Sequence, residues 1–371
     1  MKSIKFSHLL ISLLILVLIP TGIHAQTVKQ GLADVKKAQN TFLQTDMDER
    51  ITKIVNTPDF VRAANVSLNA ISLSNSLTDY LSDVSTLNNP TNGDLGFSLS
   101  QKVESMLEDD IFKDTKKKGG LARLIEVVKS IIENPLVSSL TSAIPIVNSL
   151  GSVMNLVNNM AVENPDVPVE NVNKFRADLS KYVQHYQGLA DATTKFQGNV
   201  YGVQERTEEL QIKLKSFTTQ RIENLFPGQS EAASKETSLR IVLLEVYQKE
   251  RVVKTLETVM AKYKLEGDVS LEKALIDPQL VYPEYVVNEA RFLLDELVAI
   301  SQDYVVSFND YQHELELVLG KSKEFGDSEK IDQKIALMRV KLSKVEASFL
   351  DAVQVEEVEA RFKALARTVG G

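Results

Sequence analysis

The feature of this sequence that most limits its fold is a long run of residues, mostly apolar, spaced alternately by three and four positions. The run extends from Val172 to Phe217, and threonines occupy two of its positions. A heptad stripe of this length predicts one helix from about Val169 to Phe226, about 85 Å long at 1.5 Å per residue. Three glycines inside it predict either a close approach of a neighbouring helix or a bend: Gly188, Gly198 and Gly202.

Three further stripes with the same spacing follow this helix. They cover Leu239–Tyr263, Val286–Val318 and Ile331–Leu365, and Pro-, Gly- and Asp-containing turns separate them. Each helix has a single apolar stripe to bury, so the helices should pack up and down against one another. The expected fold class is therefore all-α, with an elongated antiparallel bundle of long, coiled-coil-like helices over 168–371.

The N-terminus has the pattern of a secretory signal peptide. Lys2 and Lys5 precede an apolar run over 9–19, and Pro20 and Gly22 come before a predicted cleavage after Ala25. The run is about half the roughly 20 apolar residues that span a bilayer, which disfavours a retained anchor. The sequence contains no cysteine, so no lipid-modified cysteine follows the cut. We expect residues 1–25 to be removed and the protein to be periplasmic or extracellular and not lipidated.

The region between the signal peptide and Pro168 is also expected to be helical. Residues 28–56 and 58–87 read as a helical pair, with Thr57 and Pro58 at the start of the second helix. A polar loop over 88–94 follows, and then shorter helices at 98–112 and 121–133. Two prolines within 163–168 end this N-terminal region, so the sequence divides into 26–162 and 168–371.

The most unusual stretch, 134–162, carries no charge in a chain that is 25% charged. Read as a helix, it places apolar residues on one stripe and Ser, Thr and Asn on the other faces. A similar uncharged stretch lies at 63–78, and Pro145 is expected to bend or split the helix of the longer segment. The candidate interaction or membrane residues are Leu136, Leu140, Val147, Leu150, Ser152, Met154, Asn155 and Val157.

Three interpretations of 134–162 compete. It could be core, with amides and hydroxyls bonded across helices. It could be a protein interface, because interface centres are depleted in charge. It could be a conditionally membrane-inserting hairpin, since it avoids the cost of charge in a bilayer. The long helices and the uncharged segment resemble the architecture of the α-helical pore-forming toxins of the cytolysin A and haemolysin BL type. The short helices before the segment depart from that family.

The residues needed for most enzyme chemistry are absent or scattered. Without cysteine there is no thiolate nucleophile and no Cys-ligated metal. Beyond the signal peptide only His185 and His313 remain, both expected at the surface, and Asp310 with His313 is too small a set for a metal site. No phosphate-binding loop or nucleophile motif is present. We therefore expect no enzyme activity and no cofactor.

The charge balance limits the partners. Removal of Lys2 and Lys5 from the 42 basic residues leaves 40 against 50 acidic residues, a mature net charge of −10, which does not favour nucleic acid. The expected function is an exported, non-enzymatic helical scaffold or protein-binding module of a cell-envelope or extracellular assembly, with a protein partner or a homo-oligomer. The alternative is a pore-forming or membrane-perturbing protein that uses 134–162.

Overall fold

The computed structural model describes residues 25–73, 86–113, 118–133, 143–163, 167–236, 238–265 and 268–367. The fold is all-α, as predicted. In chain order the helices are α1 Ala25–Ser72, α2 Leu99–Met106, α3 Lys118–Ile132, α4 Ala143–Glu163, α5 Val169–Leu225, α6 Ser230–Lys235, α7 Leu239–Glu245, α8 Lys249–Ala261, α9 Leu271–Ala274, α10 Glu284–Ser322, α11 Ser328–Val353 and α12 Val355–Ala366. A π-helical turn, Leu107–Ile111, extends α2, and strands β1 Lys264–Leu265 and β2 Asp268–Val269 form a small antiparallel hairpin. Residues 1–24 of the predicted signal peptide lie outside the described residues.

Helices α5 and α10 form the spine of the bundle. The 57 residues of α5 span about 85 Å. The ring of Phe196 on α5 stacks on that of Tyr311 on α10 with centroids 4.4 Å apart, and further along α5 the guanidinium of Arg206 pairs with Asp303. Higher residue numbers on α5 thus meet lower numbers on α10, so the two helices are antiparallel, as their apolar stripes predict.

The remaining long helices pack against this spine. Phe60 of α1 lies with its ring centroid 6.5 Å from Phe217 of α5 and 6.1 Å from Phe362 of α12. Tyr304 of α10 stacks on Phe349 of α11 at 4.2 Å. The helices are long because each can bury only a narrow stripe, and the bundle lets every stripe meet another one.

Buried apolar residues form two core clusters along the bundle. The terminal core joins α1, the C-terminal half of α5, α6–α8, the N-terminal half of α10, the end of α11 and α12. The distal core joins α2–α4 and residues 87–97 with the N-terminal halves of α5 and α11 and the C-terminal half of α10. Residues from both sides of 163–168 therefore contribute to each core, and the division into 26–162 and 168–371 stays a prediction about the sequence.

The predicted helix break at Thr57–Pro58 is wrong, because α1 continues through Pro58. Proline removes one backbone N–H from the helix ladder, but Thr57 and Pro58 are both buried. The Thr57 hydroxyl donates to the Lys53 carbonyl at 2.7 Å and lies 2.9 Å from the Tyr282 hydroxyl. Packing and these hydrogen bonds hold the helix together where local propensity would end it.

Two helices that the sequence predicts to be continuous are interrupted. The chain leaves the helix between α7 and α8, where Tyr247 enters the terminal core and is 1% exposed. It also breaks between α11 and α12 at Gln354, which has a left-handed backbone with φ 51° and ψ 45°. Neither break has a glycine or proline, so tertiary packing rather than local sequence sets them.

The three glycines of α5 differ in their surroundings. A Cβ built on Gly188 would lie 2.7 Å from Cγ2 of Val318 on α10, whereas nothing lies within 4 Å of one built on Gly198 or Gly202. The helix passes through all three positions. Gly188 therefore marks a close helix approach, one of the two roles that the sequence predicts.

Candidate interaction site

Helix α4 forms the described part of the uncharged segment. Its buried residues are Ala143, Ile146, Leu150, Val153 and Val157. They belong to the distal core, where α4 packs on α5 and against α3. The main contacts of α3 are with α2 and α4, so α3 and α4 form an outer layer on the spine.

The predicted site residues fall into three groups. Leu150 and Val157 are buried, at 0% and 1% exposure, while Val147 and Met154 pack against the distal core from partly exposed positions. The hydroxyl and amide residues Ser152 and Asn155 are exposed. Leu136 and Leu140 lie outside the described residues. The buried stripe runs through Ile146 and Val153 rather than Val147 and Met154, so α4 is rotated slightly from the predicted register.

Pro145 lies at the start of α4, and residues 134–142 lie outside the described residues, so the predicted bend or split of the longer segment stays a prediction. Pro145 is the third residue of the helix, where its missing N–H has no carbonyl partner within the helix to lose. The described helix then continues to Glu163.

The outward face of α4 is neutral over its whole length up to Val162. It consists mainly of amide and hydroxyl side chains, and exposed apolar residues lie near both ends, Ile144 at 45% and Val162 at 87% exposure. The Ser152 hydroxyl donates to the Asn148 carbonyl at 3.0 Å, within the same helix. We call this surface the neutral face: Ile144, Asn148, Ser152, Asn155, Asn159 and Val162.

The outward surfaces of the spine carry charged side chains, unlike the neutral face of α4. Lys181 pairs with Asp178 at 2.9 Å on α5, and Lys195 of α5 pairs with Glu314 of α10 at 3.0 Å. Exposed pairs of this kind contribute little to stability, but they keep a surface solvated. The neutral face therefore stands out against the charged surfaces of its neighbours.

The two histidines lie in opposite environments, and the prediction that both are exposed is wrong for one. His313 is exposed on α10. His185 is only 4% exposed, and neither ring nitrogen has a hydrogen-bond partner among the described residues. Burial lowers the pKa of His185 to about 4, and the carbonyl dipole of Val318 opposes this shift without reaching hydrogen-bond geometry. Within the described residues no group of three metal-ligating side chains exists.

A second buried ionisable group, Arg221, lies near the C-terminus of α5. It is 4% exposed, and its Nε has no hydrogen-bond partner among the described residues. Its Cζ lies 5.5 Å from the Phe217 ring and 5.9 Å from the Tyr285 ring. Burial raises the pKa of nearby Tyr282 to about 12, which the Thr57 hydroxyl and Arg221 partly offset. The rings and the negative end of the α5 dipole stabilise this cation. Arg221 follows Phe217 by four residues, which is one of the two spacings of the heptad stripe. Extending the stripe by one position would therefore have predicted that Arg221 is buried.

A charged surface cleft of about 370 Å³ lies between α10 and α11 and includes His313. There Arg339 pairs with Glu316 at 2.6 Å, and Lys323 pairs with Asp332 at 2.5 Å. The Arg339 guanidinium lowers the pKa of the Glu316 carboxyl, which agrees with a stable ion pair. These groups are satisfied by one another.

Comparison with protein-family models, with curated protein sequences and with solved structures finds no match. The function is therefore inferred from the residues and geometry of this chain. In the described part of the chain, no helix combines the length and apolar character that crossing a membrane requires.

Proposed function

We propose that the protein is an exported, non-enzymatic helical scaffold that assembles with a second copy of itself through the neutral face of α4. The observation that supports this most directly is the neutral outward face of α4. The first 20 residues of this helix carry no charge, and its buried side packs firmly on the bundle. A scaffold needs a rigid element that presents a binding surface. The spine of α5 and α10 supplies the rigidity, and α4 packs on it.

Desolvation explains why this face suits a protein contact. Removing a charge from water costs much more than removing an amide or hydroxyl that finds a new hydrogen bond. The centres of protein interfaces are accordingly depleted in charge. Asn148, Ser152 and Asn155 can exchange hydrogen bonds with equivalent groups, and Ile144 and Val162 add apolar area at the two ends.

The absence of charge on the neutral face favours a second copy of the chain as its binding partner. In a two-fold contact the same patch meets itself, so a charged patch repels its copy. The mature chain is predicted to carry a net charge of −10, since 40 basic residues face 50 acidic ones. The neutral face avoids that self-repulsion. A different protein partner is the outcome if purified copies do not associate.

A membrane-perturbing function is the second candidate, and one observation favours it. The apolar stripe of α4, with Leu150, Val153 and Val157, is hidden against α5 in a helix with no charge before Glu163. If α4 left the spine, that stripe would meet lipid while its amides faced water. This function needs α4 to detach, whereas the scaffold function needs it to stay.

The test compares one charge on the neutral face with the same charge elsewhere. Ser152→Asp places a carboxylate on α4, and the matched control Ser343→Asp places one at an exposed position of α11. Sedimentation equilibrium of the mature chain over about 1–100 µM is expected to show dimers for the wild type and the control. Ser152→Asp should be monomeric with an unchanged melting temperature.

Two results would overturn the scaffold proposal. The wild type could remain monomeric over the whole range, or both variants could associate equally. Dye release from phosphatidylcholine–phosphatidylglycerol vesicles by the same samples separates the second candidate. Leakage that Ser152→Asp abolishes and Ser343→Asp retains would replace the scaffold with the membrane function.

A further inference from the structure

Five aromatic rings meet where residues 86–98 lie across the spine. Phe97 precedes α2, Tyr182, His185 and Tyr186 lie on α5, and Phe325 lies in the turn between α10 and α11. The Phe97 ring centroid lies 5.5 Å from Tyr182, 5.8 Å from His185 and 5.1 Å from Phe325. His185 also contacts Tyr186 at 5.0 Å and Phe325 at 6.0 Å. We call these five residues the aromatic latch.

The backbone closes tightly over the latch. The Asp327 N–H donates to the Leu95 carbonyl at 3.0 Å. Gly96 has φ +78°, and a Cβ on it would lie 2.2 Å from Cβ of Asp327, while a Cβ on Gly326 would lie 2.8 Å from the Leu95 oxygen. Both positions therefore need glycine, and the segment before α2 depends on its fit to the α10–α11 turn.

Beyond the latch, residues 86–98 lead directly into the distal core. Leu99, Val103, Leu107 and Ile111 of α2 and its π-turn are buried there with the apolar stripe of α4. The buried carboxylate of Asp110 pairs with Lys174 of α5 at 2.6 Å. The latch, this ion pair and the direct packing of α4 on α5 thus attach the α2–α4 layer to the N-terminal half of α5.

His185 is the one latch residue that gains a charge on acidification. Its neighbours in the latch are aromatic, and neither ring nitrogen has a hydrogen-bond partner within the part of the chain that the structure describes. Several charged residues close by in sequence on the surrounding elements already have partners. On α5, Asp178 pairs with Lys181; before α2, Asp94 lies 3.5 Å from Lys334 of α11; and the Asp327 carboxylate accepts hydrogen bonds from the Glu329 and Lys330 N–H groups. Glu324 in the turn and Lys321 on α10 are exposed, and among the described residues neither forms an ion pair with His185.

From this geometry we propose that the aromatic latch is an acid-sensitive switch. Protonation of the His185 imidazole places an unpaired charge among the rings, so the latch opens and the α2–α4 layer loosens from the spine. The two histidines of the described residues, His185 and His313, lie on the parts of α5 and α10 that border the distal core, so the terminal core has none beside it and stays closed. The switch is a property of the fold and does not depend on self-association.

The sign and size of the effect follow from linkage. The His185 pKa is lowered from 6.5 to about 4 when the latch is closed. The closed state is therefore fully favoured above pH 6.5 and loses this advantage as the pH falls from 6.5 to 4. Between pH 7.5 and pH 4.5 the ratio of open to closed molecules is expected to rise about 70-fold, towards a limit of about 300-fold.

Amide hydrogen exchange of the mature chain, corrected for the intrinsic pH dependence of exchange, tests the switch. Amides in 99–111 and 143–157 should lose about 70-fold in protection between pH 7.5 and 4.5, and amides of α12 should lose much less. His185→Leu removes the titrating group and fills the same space, so it should abolish the excess loss. His313→Leu, at the exposed histidine, is the matched control and should behave as the wild type.

Several results would overturn the proposal. An equal loss of protection in His185→Leu would assign the acid response to carboxylates, and an equal loss in α12 would make it global. His185→Gln, also uncharged, serves if the leucine variant does not fold. Repeating the hydrogen-exchange measurement in Ser152→Asp, which is expected to be monomeric, separates the switch from dimerisation. If this variant shows no excess loss of protection at low pH, the switch is refuted and the scaffold proposal stands. If the wild type does not dimerise, the scaffold proposal is refuted and the switch stands.

Discussion

Two glycines on one helix should respond differently to replacement by alanine. Gly198 is exposed on α5 with nothing within 4 Å of a built Cβ. Alanine there should stabilise the protein by about 1 kcal/mol, since glycine costs that much in a helix interior. At Gly188 the same gain meets a clash, because the new Cβ would lie 2.7 Å from Cγ2 of Val318.

The clash should at least cancel the gain at Gly188. Overpacking of this kind typically costs about 1–3 kcal/mol, so the net effect of Gly188→Ala lies between neutral and about 2 kcal/mol destabilising. Val318 cannot turn away cheaply because a β-branched side chain in a helix has one strongly preferred rotamer. The two alanine variants should therefore differ by about 1–3 kcal/mol in free energy of unfolding.

Urea unfolding followed by circular dichroism at 222 nm measures this difference. A double variant, Gly188→Ala with Val318→Ala, removes the clashing methyl groups, and its interaction free energy should be favourable. If Gly188→Ala stabilised the protein as much as Gly198→Ala does, the close approach of α5 and α10 would be refuted. If the double variant showed no interaction free energy, the cost of Gly188→Ala would not come from its contact with Val318.

Other predictions test the faces, the joint, the charges and the shape. Leu342→Asp buries an unpaired charge and should destabilise strongly in thermal melting, whereas Glu357→Lys, exposed beside Arg361, should shift stability by about 0.5 kcal/mol or less; equal effects would show that the helix faces are wrong. Gln354→Gly should stabilise by up to about 1 kcal/mol in urea unfolding, because glycine accepts the left-handed backbone of the α11–α12 joint without steric cost. Arg339→Gln should raise the pKa of Glu316 in a carboxyl NMR titration; the ion pair stabilises the fold above the ordinary carboxyl pKa and is lost as the pH falls through the lowered value. Solution scattering of the mature chain should give a radius of gyration well above the 20 Å or so of a compact globule of this length, and a value near 20 Å would contradict the bundle.

The sequence predicted helices best where one stripe is long and uninterrupted. The predicted α5 ends within one residue of the observed Val169–Leu225, because burial of the stripe and the flanking prolines act together. The break at Pro58 was wrong for the opposite reason. Local chemistry favoured it, but Tyr282, more than 200 residues later, supplies a hydroxyl beside Thr57. Contacts over that separation leave no local pattern.

The site was partly predictable. The neutral face of α4 follows from the absence of charge in the segment, and Ser152 and Asn155 are exposed as an amphipathic helix requires. His185 was missed because it lies beside the stripe and is covered from elsewhere. Phe97 and Phe325, distant in the chain, turn a position next to the heptad seam into a buried one.

The packing of α1 against α12 fixes when this protein can finish folding. Phe60 needs Phe362 as a neighbour, so one of the first helices waits for the last one. Until residues 355–366 are made, α1 must keep part of its apolar side in water or bind it elsewhere, and long-range closure of this kind slows folding. A chain whose terminal core closes only once α12 is made keeps that core open during synthesis, and truncation after Gln354 would keep it open permanently.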